Sequence, residues 1–269
     1  MKKTLVYHLY VMDNCRENFV YDIHRICLKR HLSCFDSVKI TICVDDFKRQ
    51  DLISFGYEWI LSLGILCPLQ INVEENDDVV GESRTFIREI VNCNSDGMVF
   101  FGHTKGVTLL KDDGLNESII YWIATLYFYN FLNIEQIEKN FMGDIFLQKL
   151  FFGTLLCDSL NDFLIPKHYQ GAFFWVNMDR YINLKNSGLI PKINIDGRYL
   201  AEFYCGYIEN ISKINISGSF EVKRNYWDYN VYCGSEKEWV GLFEKYGNKN
   251  NMLEYVNTLF KEIGWVYND

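Results

Sequence analysis

Residues 102 to 108 read Gly102-His103-Thr104-Lys105-Gly106-Val107-Thr108, a titratable ring, a hydroxyl and a fixed cation between two glycines. This set suits a phosphate-bearing ligand, because lysine supplies charge, the hydroxyl and loop amides supply donors, and glycine admits close approach of backbone. The plain alternative is a polar turn with a solvated lysine, since the longer glycine spacing of a P-loop is absent. Three other stretches carry comparable groups. Glu82-Ser83-Arg84-Thr85 reads as the start of a helix with an acidic cap. His168-Tyr169-Gln170-Gly171 precedes the aromatic run Phe173-Phe174-Trp175. Arg198-Tyr199-Leu200-Ala201-Glu202 sets a carboxylate one helical turn after a guanidinium, either as a proton acceptor or as half of an i,i+4 ion pair.

The elements that must position these groups alternate regularly. Strands are expected at Thr4 to Met12, Val38 to Val44, Leu69 to Val73 and Met98 to Phe101, and helices at Asn14 to His31, Asp51 to Leu63 and Ser83 to Asn92. This β-α rhythm implies an α/β fold, a mostly parallel, Rossmann-like sheet with helices on both faces. In such sheets ligands sit beyond the carboxyl ends of the strands, where His103 to Gly106 and Asp45-Asp46 fall. Farther on, Asn116 to Phe141 reads as one or two very apolar helices, Phe151 to Cys157 as a strand or helix end, Gly171 to Asn177 as a strand, and Met178 to Asn186 and Arg198 to Ile208 as helices. Two more, Trp239 to Tyr246 and Asn251 to Ile263, form a helical, aromatic C-terminal elaboration.

Composition narrows the classes. At 269 residues and 49% hydrophobic content the chain can bury a large core. A net charge of −8 argues against a nucleic-acid partner, whose phosphates call for a basic field. Nine cysteines without a C-x-x-C pair fit a reducing, cytoplasmic setting better than a disulfide framework or a structural zinc site. The amino end lacks a small-residue cleavage site after its short apolar run, and no run of about 18 apolar residues predicts a membrane span. Peripheral membrane contact is left open, the patch from Lys245 to Lys249 being too small to demand it, and exposed aromatics of the tail would instead serve a homodimer.

Four motifs then carry a resemblance: Gly81-Glu82 with Thr85, His103-Thr104-Lys105-Gly106, His168 to Trp175, and Arg198-Tyr199-Leu200-Ala201-Glu202. In this order they resemble a family of glycosyltransferases and related polysaccharide-biosynthesis proteins. The resemblance runs from residue 81 to about residue 208, the first 80 residues agreeing in rhythm only. It implies a GT-A-like domain over residues 1–215, with a nucleotide-binding half (1–110) meeting an acceptor half (111–215), and residues 216–269 packed on the same domain.

The resemblance further implies transfer of a sugar from a nucleotide-diphosphate donor to a glycan or lipid-linked acceptor. Donor-binding residues on this mapping are His103, Thr104, Lys105, Gly106, Glu82, Arg84, Asp45 and Gly171, and the bases are Glu202 and His168. Aromatic faces of Phe173, Phe174 or Trp175 would flank the sugar unless they are core. Related enzymes hold Mn²⁺ or Mg²⁺ on an Asp-x-Asp motif, which this chain lacks, so no cofactor is fixed and Lys105 with His103 would take over part of the ion's role. Glu75-Asn76-Asp77 and Asp112-Asp113 are the fallback acidic clusters. The rival reading is a non-catalytic glycan- or nucleotide-binding module of a polysaccharide-assembly complex.

Overall fold

A computed structural model describes residues 1–93, 96–110, 117–132, 134–143, 149–154, 156–157, 168–169, 171–190, 197, 200–212, 217–218, 221–222 and 236–264. Its strands are β1 (Lys3–Val11), β2 (Ser37–Val44), β3 (Leu69–Glu75), β4 (Met98–His103), β5 (Phe151–Gly153), β6 (Leu156–Cys157), β7 (His168–Tyr169), β8 (Phe174–Asn177), β9 (Ser217–Gly218) and β10 (Glu221–Val222). Its helices are α1 (Val20–His31), α2 (Gln50–Ser62), α3 (Ser83–Phe86), α4 (Glu117–Phe131), α5 (Ile134–Met142), α6 (Met178–Asn186), α7 (Leu200–Ser212), α8 (Glu236–Tyr246) and α9 (Lys249–Glu262).

The main sheet has seven strands in the order β3-β2-β1-β4-β8-β5-β9, and a smaller sheet runs β10-β6-β7. β1, β2, β3 and β4 are mutually parallel, as the β-α rhythm requires. β1 is central and buried on both faces, which is why it reads as a nearly continuous apolar run. After β3 the chain crosses to the other side of β1, so a topological switch point lies between β1 and β4. β8 is antiparallel to β4. Its first residues therefore arrive at the carboxyl end of β4, with Phe174 opposite Phe101.

Alternate side chains of the strands feed two cores. Leu5, Tyr7, Ile40, Phe100, Phe173 and Trp175 pack with apolar residues of α1, α2, α4, α8 and α9. Val6, Val99, Phe101, Phe174 and Val176 pack with residues of α3, α6 and α7. The period of two along each strand thus sorts neighbouring residues to opposite helical layers. Helix α4 is buried from Ser118 to Phe131, consistent with its apolar residues on every side. A helix of that kind needs cover away from the sheet, and α8 and α9 supply it. Trp239 is buried there, its Nε1–H donating to Ser118 Oγ at 3.0 Å. No helix among the described residues is long and apolar enough to cross a membrane.

Several expected boundaries move for local reasons. Helix α1 begins at Val20 rather than Asn14, because the Asn18 side chain takes the Val20 N–H at 3.1 Å and donates to Val107 O at 2.9 Å. Asparagine side chains compete with helical backbone bonding in this way. The expected helix from Ser83 to Asn92 is α-helical only to Phe86 and π-helical over Ile87–Val91. That wide turn lets both Arg88 and Glu89 reach β2, at Thr41 Oγ1 (2.7 Å) and Lys39 Nζ (3.0 Å). Strand β4 extends through His103, since Thr104 N–H continues the ladder by donating to His8 O at 3.1 Å. The apolar stretch expected from Asn116 to Phe141 contributes two helices, α4 and α5, and residues 171–173 form a turn before β8.

Candidate functional site

At the carboxyl ends of β1 and β4, His8 and His103 are register partners. The next residues on β4's path leave the sheet and are held by side chains from three other elements. Thr104 is buried, and its Oγ1 accepts the Tyr10 N–H at 2.9 Å while donating to Tyr10 O at 3.3 Å. The hydroxyl thereby extends the β1–β4 pairing one step past the strand.

Lys105 is held at both ends. Its carbonyl accepts the Nε2–H of His24 at 2.8 Å, and its ammonium donates to Glu202 Oε1 at 2.9 Å. The ammonium also lies 5.6 Å from the centre of the Trp122 ring. Because a carbonyl only accepts, His24 carries its proton on Nε2 and accepts the Tyr7 hydroxyl proton at Nδ1 at 3.0 Å, with the Tyr127 oxygen also 3.0 Å from that nitrogen. Tyr127 in turn donates to Tyr7 at 3.2 Å. Burial pushes the His24 imidazole down to about 4, opposed by its bond to the Lys105 carbonyl, so the ring is neutral at physiological pH.

Glu202 stands in the first turn of α7, where the helix dipole favours a carboxylate. Its Oε1 also accepts the Gly171 N–H at 3.1 Å, and the Gly171 carbonyl accepts His103 Nε2–H at 2.8 Å. Gly171 thus bridges the histidine and the glutamate through its own peptide groups. Its φ of +83° lies in the left-handed region, and a Cβ there would meet Leu126 at 3.3 Å. The following Ala172 also has a positive φ, 51°. Burial, and next the Lys105 charge, hold the His103 imidazole down to about 3. His103 is therefore a neutral donor here, not a cation.

The amino end of α7 is tied back to α3. Ser83 Oγ accepts the Ala201 N–H at 3.1 Å, and Thr85 Oγ1 bonds His8 Nδ1 at 2.9 Å. Glu82 is buried, but its side chain makes no capping bond to α3, so the expected cap is absent. Arg84 is spent on Asp77 Oδ2 (2.8 Å) and Glu75 O (3.2 Å). Asp45 is exposed and accepts from the Tyr10 hydroxyl and from Asn76 Nδ2, at 2.9 Å in each case. Tyr10 therefore links Asp45 to Thr104.

The sequence-expected residues fall into groups. His103, Lys105, Gly171 and Glu202 form one connected set, Thr104 and Asp45 join through Tyr10, and Arg84 stands with Asp77. Gly106 and Gly102 do not open backbone to a ligand: a Cβ on Gly106 would meet Ile119 at 3.3 Å, and one on Gly102 would meet Phe173 at 3.2 Å. Phe173, Phe174 and Trp175 are all fully buried, so none offers a face to a sugar. The His168 side chain, Arg198, Tyr199, Asp112 and Asp113 lie outside the described residues. Among the described residues no three His, Cys, Asp or Glu side chains cluster to hold a metal ion. The donors at the end of β4 fit one poorly, because the Lys105 ammonium occupies Glu202 and repels a second cation.

Sequence reasoning missed Tyr7, His24, Tyr127, Ser83 and the role of His8. One signal was present: His24 falls on the same helical stripe as Val20, Ile23 and Cys27, and a polar residue on an apolar stripe needs buried partners. No protein-family model matches the chain, and no curated protein matches its sequence.

Proposed function

We propose that the protein is a glycosyltransferase of GT-A-like architecture, moving a sugar from a nucleotide-diphosphate donor to a glycan or lipid-linked acceptor in surface-polysaccharide biosynthesis. The observation that carries this reading is the convergence of Lys105 and Glu202, 97 positions apart, beside the switch point between β1 and β4. Open α/β sheets bind ligands at such points. A partly exposed lysine beside that point suits a diphosphate, and a carboxylate within reach of it suits a proton acceptor.

In this mechanism the acceptor hydroxyl gives its proton to the Glu202 carboxylate as its oxygen bonds to the anomeric carbon of the donor. The bond from that carbon to the phosphate oxygen breaks, and the electron pair leaves with the nucleoside diphosphate. Lys105 stabilises the charge that grows on the departing oxygen. Neutral His103 holds the Gly171 peptide in place and moves no proton. Calorimetric titration against a panel of nucleotide sugars, with and without Mn²⁺, tests the reading, together with transfer assays of Glu202→Gln. Binding with loss of transfer in the variant is expected; no binding to any donor sinks the reading.

One observation favours the rival, a non-catalytic binding module: Glu202 already accepts from Lys105 and from the Gly171 N–H. Nucleotide-sugar binding without transfer or donor hydrolysis in the wild-type protein would decide for it.

A further inference from the structure

The two halves of the Lys105–Glu202 pair are held very differently. The Glu202 side chain is 8% exposed and the Lys105 side chain 20%, so the lysine is the half of the pair more open to a solute. Glu202 keeps the Gly171 N–H as an acceptor bond independent of lysine. The Lys105 main chain is pinned by His24 and by its own N–H donating to His103 O at 2.8 Å. What remains able to swing is the unbranched lysine side chain, whose methylenes rotate at little cost.

We propose that this ion pair is a ligand-operated gate, in which an incoming diphosphate draws the Lys105 ammonium away from Glu202 and so releases the carboxylate to act on the acceptor. The proposal rests on the diphosphate reading of the site. A group bearing two or more negative charges outcompetes a single carboxylate for one ammonium, and a carboxylate that loses its cation accepts a proton more readily. The gate therefore couples arrival of the donor to readiness of the base.

The gate has a consequence opposite in sign to that of a simple binding residue: removing the Glu202 charge strengthens anion binding. Titration calorimetry with inorganic pyrophosphate, UDP and GDP on the full chain reads it directly. Glu202→Gln retains an acceptor for the Gly171 N–H and should bind pyrophosphate about tenfold more tightly than wild type, a change of about 1.4 kcal/mol. Glu202→Asp, which keeps the charge but shortens its reach, should bind more tightly by a smaller factor. Lys105→Met combined with Glu202→Gln should show no gain over Lys105→Met alone. Unchanged or weaker binding in both single Glu202 variants overturns the gate while leaving the diphosphate reading in place. Absence of binding of all three probes to every form overturns both.

Discussion

His103 and Glu202 are joined through the main chain of a single residue: the Gly171 carbonyl accepts from the histidine and the Gly171 N–H donates to the glutamate. Through this bridge the end of β4, the turn before β8 and the start of α7 are set relative to one another. The bridge works because β8 runs antiparallel to β4 and so delivers Gly171 to β4's carboxyl end.

Replacing Gly171 should be costly for two separable reasons. Gly171→Ala places a Cβ in a left-handed backbone and 3.3 Å from Leu126, whereas Gly188→Ala is strained in φ (+70°) but meets nothing within 4 Å. We expect the first to lose about 2 to 3 kcal/mol and the second about 1 kcal/mol in urea unfolding. Equal losses would show that the contact with Leu126 contributes nothing.

The ion pair should show strong coupling. Lys105→Met leaves the Glu202 charge largely buried without its ammonium and should destabilise the fold by about 3 kcal/mol or more, while the double variant with Glu202→Gln should recover much of that loss. Additive losses in a double-mutant cycle by chemical denaturation would contradict the pairing.

Acid should weaken the fold well before the carboxylates titrate. His24 and His103 are depressed from 6.5 to about 4 and about 3, so the unfolded chain binds protons first as pH falls. The stability each contributes is complete above pH 6.5 and declines as pH drops toward the folded values, by up to about 2 kcal/mol per histidine at pH 5. Urea midpoints at pH 7 and pH 5 measure the drop, and His24→Gln should reduce it. A midpoint independent of pH over that interval would contradict the buried neutral rings.

Ser83 acts on a helix that is not its own. Loss of its hydroxyl in Ser83→Ala removes the acceptor for the Ala201 N–H and should cost about 1 kcal/mol. Hydrogen exchange at the first turn of α7 should quicken in the variant, and unchanged exchange there would argue against the cap.

The C-terminal helices should prove integral. Trp239→Ala empties a fully packed site over Tyr121 and Ser118 and should cost about 3 to 5 kcal/mol, read from the thermal transition. A loss below about 1 kcal/mol would mean that α8 contributes little to covering α4.

Much of the architecture is written locally. The β-branched run of β2, the all-round apolar character of α4 and the alternation of strands and helices up to His103 identify the parallel sheet, because period and composition report which faces a segment must bury. The same local logic marks His103 to Lys105 as a polar end to a buried strand, and places Glu202 at the start of a helix. It does not pair Lys105 with Glu202, put the Gly171 peptide between His103 and that carboxylate, or assemble Tyr7, His24 and Tyr127 beneath the lysine. Those contacts join residues tens of positions apart and depend on β8 running antiparallel and on α7 docking against Ser83. Short sequence spacing carries no record of either, so only the folded chain decides them.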